Sequence, residues 1–195
     1  MSTVVVVRKN GIAAIAGDTM TSTDHQKMTA KYDSQADKIY RLNGSLIGFV
    51  GSSATQIVFE NALKQLKKLR LDSREHIFET MIHLHPVLKK KYFLNPNDEE
   101  EYPFESSHVE ALIANKHGIF GLFFLRDVFE YPRFWAIGSG QDYALGAMFS
   151  VYDQLGSAEE IARLGVTAGC EFDKSSAPPL TLYTVALTED ESKDV

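Results

Sequence analysis

Two Asn-Gly dipeptides, each set between short apolar runs, constrain the first part of this sequence more than any other feature. Asn10-Gly11 and Asn43-Gly44 both follow a run rich in β-branched or apolar residues and precede another. Asn-Gly favours the two-residue turn of a hairpin, because both turn positions need positive φ angles. The sequence therefore predicts two β-hairpins, with strands over residues 3–8, 12–17, 38–42 and 45–51.

Apolar spacing along the rest of the chain predicts four helices and four more strands. The helices are expected at 52–71, 73–92, 143–155 and 157–168, and the strands at 108–114, 118–125, 134–137 and 180–187. Strands grouped in blocks between helix pairs indicate an α+β fold, with two sheets faced by helices. We expect one domain over residues 1–195, polar loops at 19–37 and 94–107, and a charged C-terminal tail at 188–195.

Composition excludes several classes of function. The net charge of −6 argues against a nucleic-acid partner, because neutralising phosphates needs clustered Lys and Arg. No apolar run approaches the ~20 residues needed to span a membrane. The single cysteine, Cys170, excludes an internal disulfide and fits a reducing compartment. We therefore expect a cytoplasmic protein without a membrane partner, and the histidine spacing predicts no metal site.

The hairpin turns also fix which residues lie opposite one another. Counting outward from the first turn places Thr3 opposite Asp18, and counting from the second places Lys38 opposite Phe49, with Gly51 just beyond. Both turns point one way, so both polar ends point the other way.

If the two hairpins lie side by side in one sheet, Ser2, Asp18, Lys38 and Gly51 meet at one edge of it. This set suits a nucleophilic site. Removal of Met1 would free the α-amine of Ser2, whose ordinary pKa of about 7.7–8.0 suits a general base. A neighbouring lysine would favour the neutral amine, and Asp18 would hold that lysine in place.

Several segments, in the same order along the chain, resemble those of the HslV family, the bacterial relatives of proteasome β subunits. The resemblance runs from Ser2 to about Ser176 and rests on Ser2–Arg8, Asn10-Gly11, Ala16–Asp18, Lys38–Gly44, Gly48–Gly51 and Ala136–Gly140. It implies the four-layer αββα sandwich of N-terminal nucleophile (Ntn) hydrolases, and a threonine-type endopeptidase in which serine replaces the usual threonine.

The resemblance also assigns roles. It implies that Ser2 is the nucleophile and its amine the base, that Asp18 and Lys38 are the charge pair, and that Gly51 is the oxyanion donor. Ser139 matches a serine that hydrogen-bonds near the amine. Cleavage in this family requires no cofactor.

The same resemblance implies a homo-oligomer of two stacked rings that acts on peptides or unfolded proteins, with the helices at 52–71 and 73–92 in subunit contacts. An ATP-dependent unfoldase partner stays open. A longer loop between Asp18 and Lys38 and an acidic run at 98–101 are more similar to the betaproteobacterial proteasome homologue branch.

Three assignments stay open at this stage: the nucleophile, the fourth acidic residue and the activity itself. Thr3 could replace Ser2 as nucleophile, although it lies on the other face of the strand. The family's fourth acidic position matches Glu171 better than Asp173. Finally, the chain could be a catalytically inactive ring subunit with a structural role, or a module that binds peptides at a sheet edge.

Overall fold

A computed structural model of the chain describes residues 2–23, 25–95 and 104–188. The strands are β1 Val4–Lys9, β2 Ile12–Asp18, β3 Thr21–Ser22, β4 Lys27–Met28, β5 Ile39–Leu42, β6 Ser45–Phe49, β7 Ala111–Asn115, β8 Gly118–Leu122, β9 Val128–Glu130, β10 Phe134–Ile137 and β11 Leu180–Ala186. The helices are α1 Ser53–Leu63, α2 Arg74–Lys91, α3 Gln141–Val151 and α4 Ala158–Phe172, with a short 3-10 helix at Phe124–Arg126. The acidic run at 98–101, within the loop predicted at 94–107, and the tail from residue 189 lie outside the described residues.

The strands form two antiparallel sheets, in the order β10-β1-β2-β11 and β5-β6-β7-β8-β9, beside the small β3-β4 pair. Both hairpin registers are as predicted. The Asp18 N–H donates to the Thr3 carbonyl at 3.1 Å, and the Phe49 N–H donates to the Lys38 carbonyl at 3.2 Å. The polar ends of both hairpins are therefore where the turn counting placed them.

The expectation that the two hairpins share one sheet was wrong. β1 and β2 belong to the four-stranded sheet, whereas β5 and β6 belong to the five-stranded sheet. The two sheets pack face to face, and a Cβ added to Gly48 would lie 2.6 Å from Cγ1 of Val4. Residues that were expected to be neighbours along one edge therefore meet across the gap between two sheets.

Three apolar cores separate four layers. One core lies between the sheets and includes Val4, Val6, Ile15, Ile39, Leu112 and Ile119. The second packs α1 and α2 on the five-stranded sheet and includes Phe49, Phe59, Ile77, Leu84, Ile113 and Phe120. The third packs α3 and α4 on the four-stranded sheet and includes Val5, Val7, Ala14, Met148, Ile161 and Val166. Because alternate side chains of a strand point to opposite faces, β1 contributes Val4 and Val6 to the core between the sheets and Val5 and Val7 to the core beneath α3 and α4. The layer order is the predicted αββα.

Some element bounds differ from the predictions. α1 ends at Leu63 instead of continuing to residue 71. Leu66 and Leu69 still pack against the core, although they lie in an irregular segment and not in a helix. β9 and the β3-β4 pair were not predicted, because such short strands carry little pattern. Across the described ranges, none of the helices is both long and apolar enough to cross a membrane.

Candidate active site

A buried ion pair joins the two sheets at the polar ends of the hairpins. Asp18, the last residue of β2, is fully buried, and Lys38, just before β5, is 9% exposed. Lys38 Nζ lies 2.6 Å from Asp18 Oδ1 and donates a second hydrogen bond to the Met20 carbonyl at 2.7 Å. Burial lowers the pKa of Lys38, and the charge of Asp18 and its hydrogen bond oppose that shift. The lysine is thus held at a fixed position with reduced affinity for its proton.

Backbone donors hold the Asp18 carboxylate from three directions. It accepts hydrogen bonds from the N–H groups of Thr3 at 2.9 Å, Met20 at 3.0 Å and Ala177 at 3.3 Å. Hydrogen bonds from several donors stabilise a buried carboxylate in its charged form. Asp18 therefore fixes the start of β1 relative to Lys38.

The orientation of Ser2 follows from its neighbour Thr3. The Thr3 side chain is fully buried and points to α4: its Oγ1 lies 2.7 Å from Oγ of Ser176, and a Cβ on Gly169 would be 2.5 Å from Thr3 Cγ2. Because side chains alternate along an extended chain, Ser2 faces the other way. Ser2, 3% exposed, lines a cavity of about 270 Å³ together with Lys38 and Gly51.

Gly51 reaches the cavity from the five-stranded sheet. It follows β6 and adopts a φ of +108°, a conformation that L side chains rarely adopt. The next residue, Ser52, caps α1 by accepting the Ala54 N–H on its Oγ at 3.2 Å. The cavity is therefore bordered by the N-terminal end of a helix, where backbone N–H groups favour negative charge.

A chain of hydrogen bonds connects Ser139 to Thr3. Ser139 Oγ donates to Asp173 Oδ2 at 2.6 Å, Ser176 Oγ donates to the same oxygen at 2.7 Å, and Ser176 in turn bonds Thr3. Burial alone would raise the pKa of Asp173, but the two hydroxyl donors and the Ser175 N–H hold it below its usual value. Ser139 is thus anchored to a charged carboxylate behind the chain start.

The acid in this network is Asp173, whereas the sequence match favoured Glu171. Glu171 is exposed on α4, and Asp173 follows the helix as its C-cap. Asp173 was under-weighted, and Ser176 and the Met20 carbonyl were missed. The local sequence carried a partial signal for Asp173, because serines two and three positions further on can donate N–H and hydroxyl hydrogen bonds to its carboxylate.

The described residues favour neither a cysteine nucleophile nor a metal site. Burial raises the pKa of the Cys170 thiol to about 12, so this thiol does not form a nucleophilic thiolate near neutral pH. Within residues 2–23, 25–95 and 104–188, no group of three His, Cys, Asp or Glu side chains could hold a metal ion.

Gly138, just before Ser139, has no room for a side chain. Its φ is +92°, and an added Cβ would lie 2.1 Å from the Ser2 carbonyl oxygen. We expect Gly138→Ala to lower the free energy of unfolding by at least about 3 kcal/mol and to displace Ser2.

The control for that substitution is Gly146→Ala within α3, where an added Cβ meets nothing within 4 Å. The free energy of unfolding of this variant should rise by about 0.5–1 kcal/mol, since alanine is more favourable than glycine in a helix interior. Urea unfolding at one protein concentration measures both, and equal stability of the Gly138→Ala variant and the wild type would contradict the packing described here.

Comparison with known proteins agrees with this architecture. A family model described as "Proteasome subunit" matches residues 1–185. The chain is 30% identical to the ATP-dependent protease subunit HslV of Desulfovibrio desulfuricans over 192 residues, covering 94% of this chain and 97% of that protein.

Solved structures show the same relationship. The chain is similar to Thiobacillus denitrificans BPH, with 39% identity, a TM-score of 0.89 and coverage of 96% of this chain and 100% of that one. The same protein in complex with epoxomicin matches at 38% identity and a TM-score of 0.88, covering 95% and 99% of the two chains. Eukaryotic HslV from Trypanosoma brucei, at 19% identity and a TM-score of 0.67 over 94% and 99% of the two chains, shares the fold. The chain therefore belongs to the proteasome subunit family, in the HslV-like branch that includes the bacterial proteasome homologue BPH, and has its four-layer Ntn-hydrolase fold.

Proposed function

We propose that this chain is a peptidase subunit that cleaves peptide bonds with the hydroxyl of Ser2 after Met1 has been removed. The observation that carries the proposal is the cavity shared by Ser2, Lys38 and Gly51, beside the buried Asp18–Lys38 pair. At this cavity the Ser2 hydroxyl, the Lys38 cation and Gly51, which precedes the N-terminus of α1, come together.

The free α-amine of Ser2 acts as general base. It takes the proton from Ser2 Oγ as that oxygen attacks the substrate carbonyl carbon, and a tetrahedral oxyanion forms. The amine then passes the proton to the leaving nitrogen, and the peptide bond breaks to leave an ester on Ser2. Water, deprotonated by the same amine, hydrolyses the ester and restores the serine.

The surrounding groups support these steps. The Lys38 cation favours the neutral amine and stabilises developing negative charge, and Asp18 keeps the lysine oriented. The Gly51 N–H, just before the N-terminus of α1, serves as oxyanion donor. Asp173 and Ser139 position the amine through their hydrogen-bonded chain to Thr3.

The family supports a wider setting for this reaction. We propose a cytoplasmic homo-oligomer of two stacked rings that admits peptides and unfolded proteins, with an ATP-dependent unfoldase as a candidate partner and no cofactor for the cleavage itself. The similarity to an ATP-dependent protease subunit supports the ring and the unfoldase.

Degradation of an unfolded substrate tests the proposal. The purified protein, incubated with reduced and alkylated casein, should release short peptides that mass spectrometry identifies, and a Ser2→Ala sample should release none. Equal peptide release from both samples would contradict the assignment of Ser2 as the nucleophile. Absence of release from the wild type, with any unfoldase omitted and casein already unfolded, would favour the inactive ring subunit.

The rate should depend on pH with two limbs. The rising limb reports loss of the proton from the Ser2 amine and should have its midpoint below about 7.7, because Lys38 disfavours the ammonium form. The falling limb reports loss of the proton from Lys38, whose pKa lies below its ordinary 10.5. A kcat/KM profile from pH 5 to 10 measures both limbs, and a flat profile would contradict the amine base.

A further inference from the structure

Resting on the proposed function, we propose that the cavity beside Ser2 selects a positively charged side chain immediately before the cleaved bond, and that Asp33 recognises it. Asp33 lies between β4 and β5, in the loop that joins Asp18 to Lys38. Asp33 and Ser2 both line the cavity.

The chemistry of acyl transfer decides which substrate side chain enters. Ser2 Oγ bonds to the carbonyl carbon of the residue before the cut, and the Cα of that residue is one bond away. Its side chain is therefore the one closest to the cavity that Ser2 lines. With a volume of about 270 Å³, the cavity is smaller than typical small-molecule sites, which start near 300 Å³, and suits one long side chain.

Lys38 and Asp37 also line the cavity, but their charges are already engaged. Lys38 is paired with Asp18 and bonded to a backbone carbonyl. Asp37 accepts hydrogen bonds from the Thr181 hydroxyl at 2.9 Å and the Tyr183 hydroxyl, which hold its carboxylate on β11. Neither side chain is available to recognise a substrate charge.

Asp33 is engaged differently. It is half-buried, and its Oδ1 accepts the Gln35 N–H at 2.8 Å, which fixes its orientation. In the part of the chain that the structure describes, no Lys, Arg or His forms an ion pair with Asp33. Asp33 is therefore a cavity carboxylate that is neither paired with a protein cation nor held against β11 as Asp37 is.

The remaining lining fits a long basic side chain. Met20, Phe49 and Val50 contribute apolar atoms to the lining of the cavity, and Ser22 and Gln56 contribute polar atoms. Lys and Arg side chains combine an apolar stem with a charged tip in this way. A substrate Asp or Glu would meet the like charge of Asp33 and be disfavoured.

Three fluorogenic peptides that differ only in the residue before the cut, Arg, Leu or Glu, test this proposal. We expect kcat/KM to be highest for Arg, by about tenfold over Leu, and lowest for Glu. Asp33→Asn should lower the Arg-to-Leu ratio about tenfold, and Asp33→Glu should keep Arg preferred. The control, Asp142→Asn in the exposed first turn of α3, removes the same charge away from the cavity and should leave the ratio unchanged.

The outcomes separate this inference from the proposed function. Preference for Leu in the wild type, or an Arg-to-Leu ratio that Asp33→Asn does not change, would overturn the role of Asp33 while peptide cleavage still supports the peptidase. Equal loss of both substrates in Asp33→Asn would show a structural role for Asp33 and overturn the selectivity. If no peptide is cleaved and an N-terminal nucleophile probe forms no adduct, the proposed function fails, and this inference fails with it.

Discussion

Replacing Ser2 with alanine should reduce peptide hydrolysis by about 10⁴-fold or more, because the substitution removes the attacking oxygen itself. The fold should be retained, since β1 is held by Val4 and Val6 in the core and by the bond from the Thr3 N–H to Asp18. Initial rates with one fluorogenic peptide, measured beside circular dichroism spectra, give the comparison.

Ser2→Thr is the matched control, because it keeps the hydroxyl and adds the β-methyl found in most of the family. We expect activity within about tenfold of the wild type, and the added methyl narrows the choice of χ1. Ser2→Ala leaves the hydroxyl of Thr3 in place. Substantial activity in Ser2→Ala would therefore transfer the nucleophile to Thr3 and contradict the assignment.

Replacing Lys38 with alanine should reduce kcat by at least about 100-fold, because it removes the cation that favours the neutral amine and faces the developing charge. The Asp18 carboxylate would lose its ion pair but keep the backbone donors of Thr3, Met20 and Ala177. We therefore expect a folded protein that is less stable, by up to about 3–5 kcal/mol, than the wild type.

Lys116→Ala, in the exposed turn between β7 and β8, removes the same charge at a residue that does not line the cavity and should leave kcat unaltered. Lys38→Arg should not rescue activity, because a guanidinium is larger, planar and does not share the geometry of an ammonium. Steady-state kinetics and urea unfolding on each variant separate the catalytic from the structural effect. A folded Lys38→Ala protein with more than a tenth of wild-type kcat would remove Lys38 from the mechanism.

Local patterns in the sequence were enough to predict which residues lie at the polar ends of the two hairpins. The two Asn-Gly turns set the strand registers, and those registers correctly placed Thr3 opposite Asp18 and Lys38 opposite Phe49. A turn is a local feature, so its consequences can be counted residue by residue.

Long-range packing could not be read in the same way. The sequence of either hairpin does not indicate whether the two share a sheet. Each hairpin strand pairs with a further strand on its other edge, and packing of the whole core determines which strand that is. The structure places the hairpins in facing sheets, and the Asp18–Lys38 pair crosses between them. Asp173 was ambiguous for a related reason: its partner Ser139 is 34 positions away, and only the packing of α4 brings the two together.

An epoxyketone peptide is the sharpest probe of Ser2 as the nucleophile, because it bonds to both the hydroxyl and the free α-amine of an N-terminal nucleophile. The measurement is peptide mapping by mass spectrometry of the treated wild type and the treated Ser2→Ala variant. We expect an adduct on an N-terminal peptide that begins at Ser2, in the wild type alone. A wild-type protein that lacks Met1 and forms no adduct, or an adduct that persists in Ser2→Ala, would contradict it.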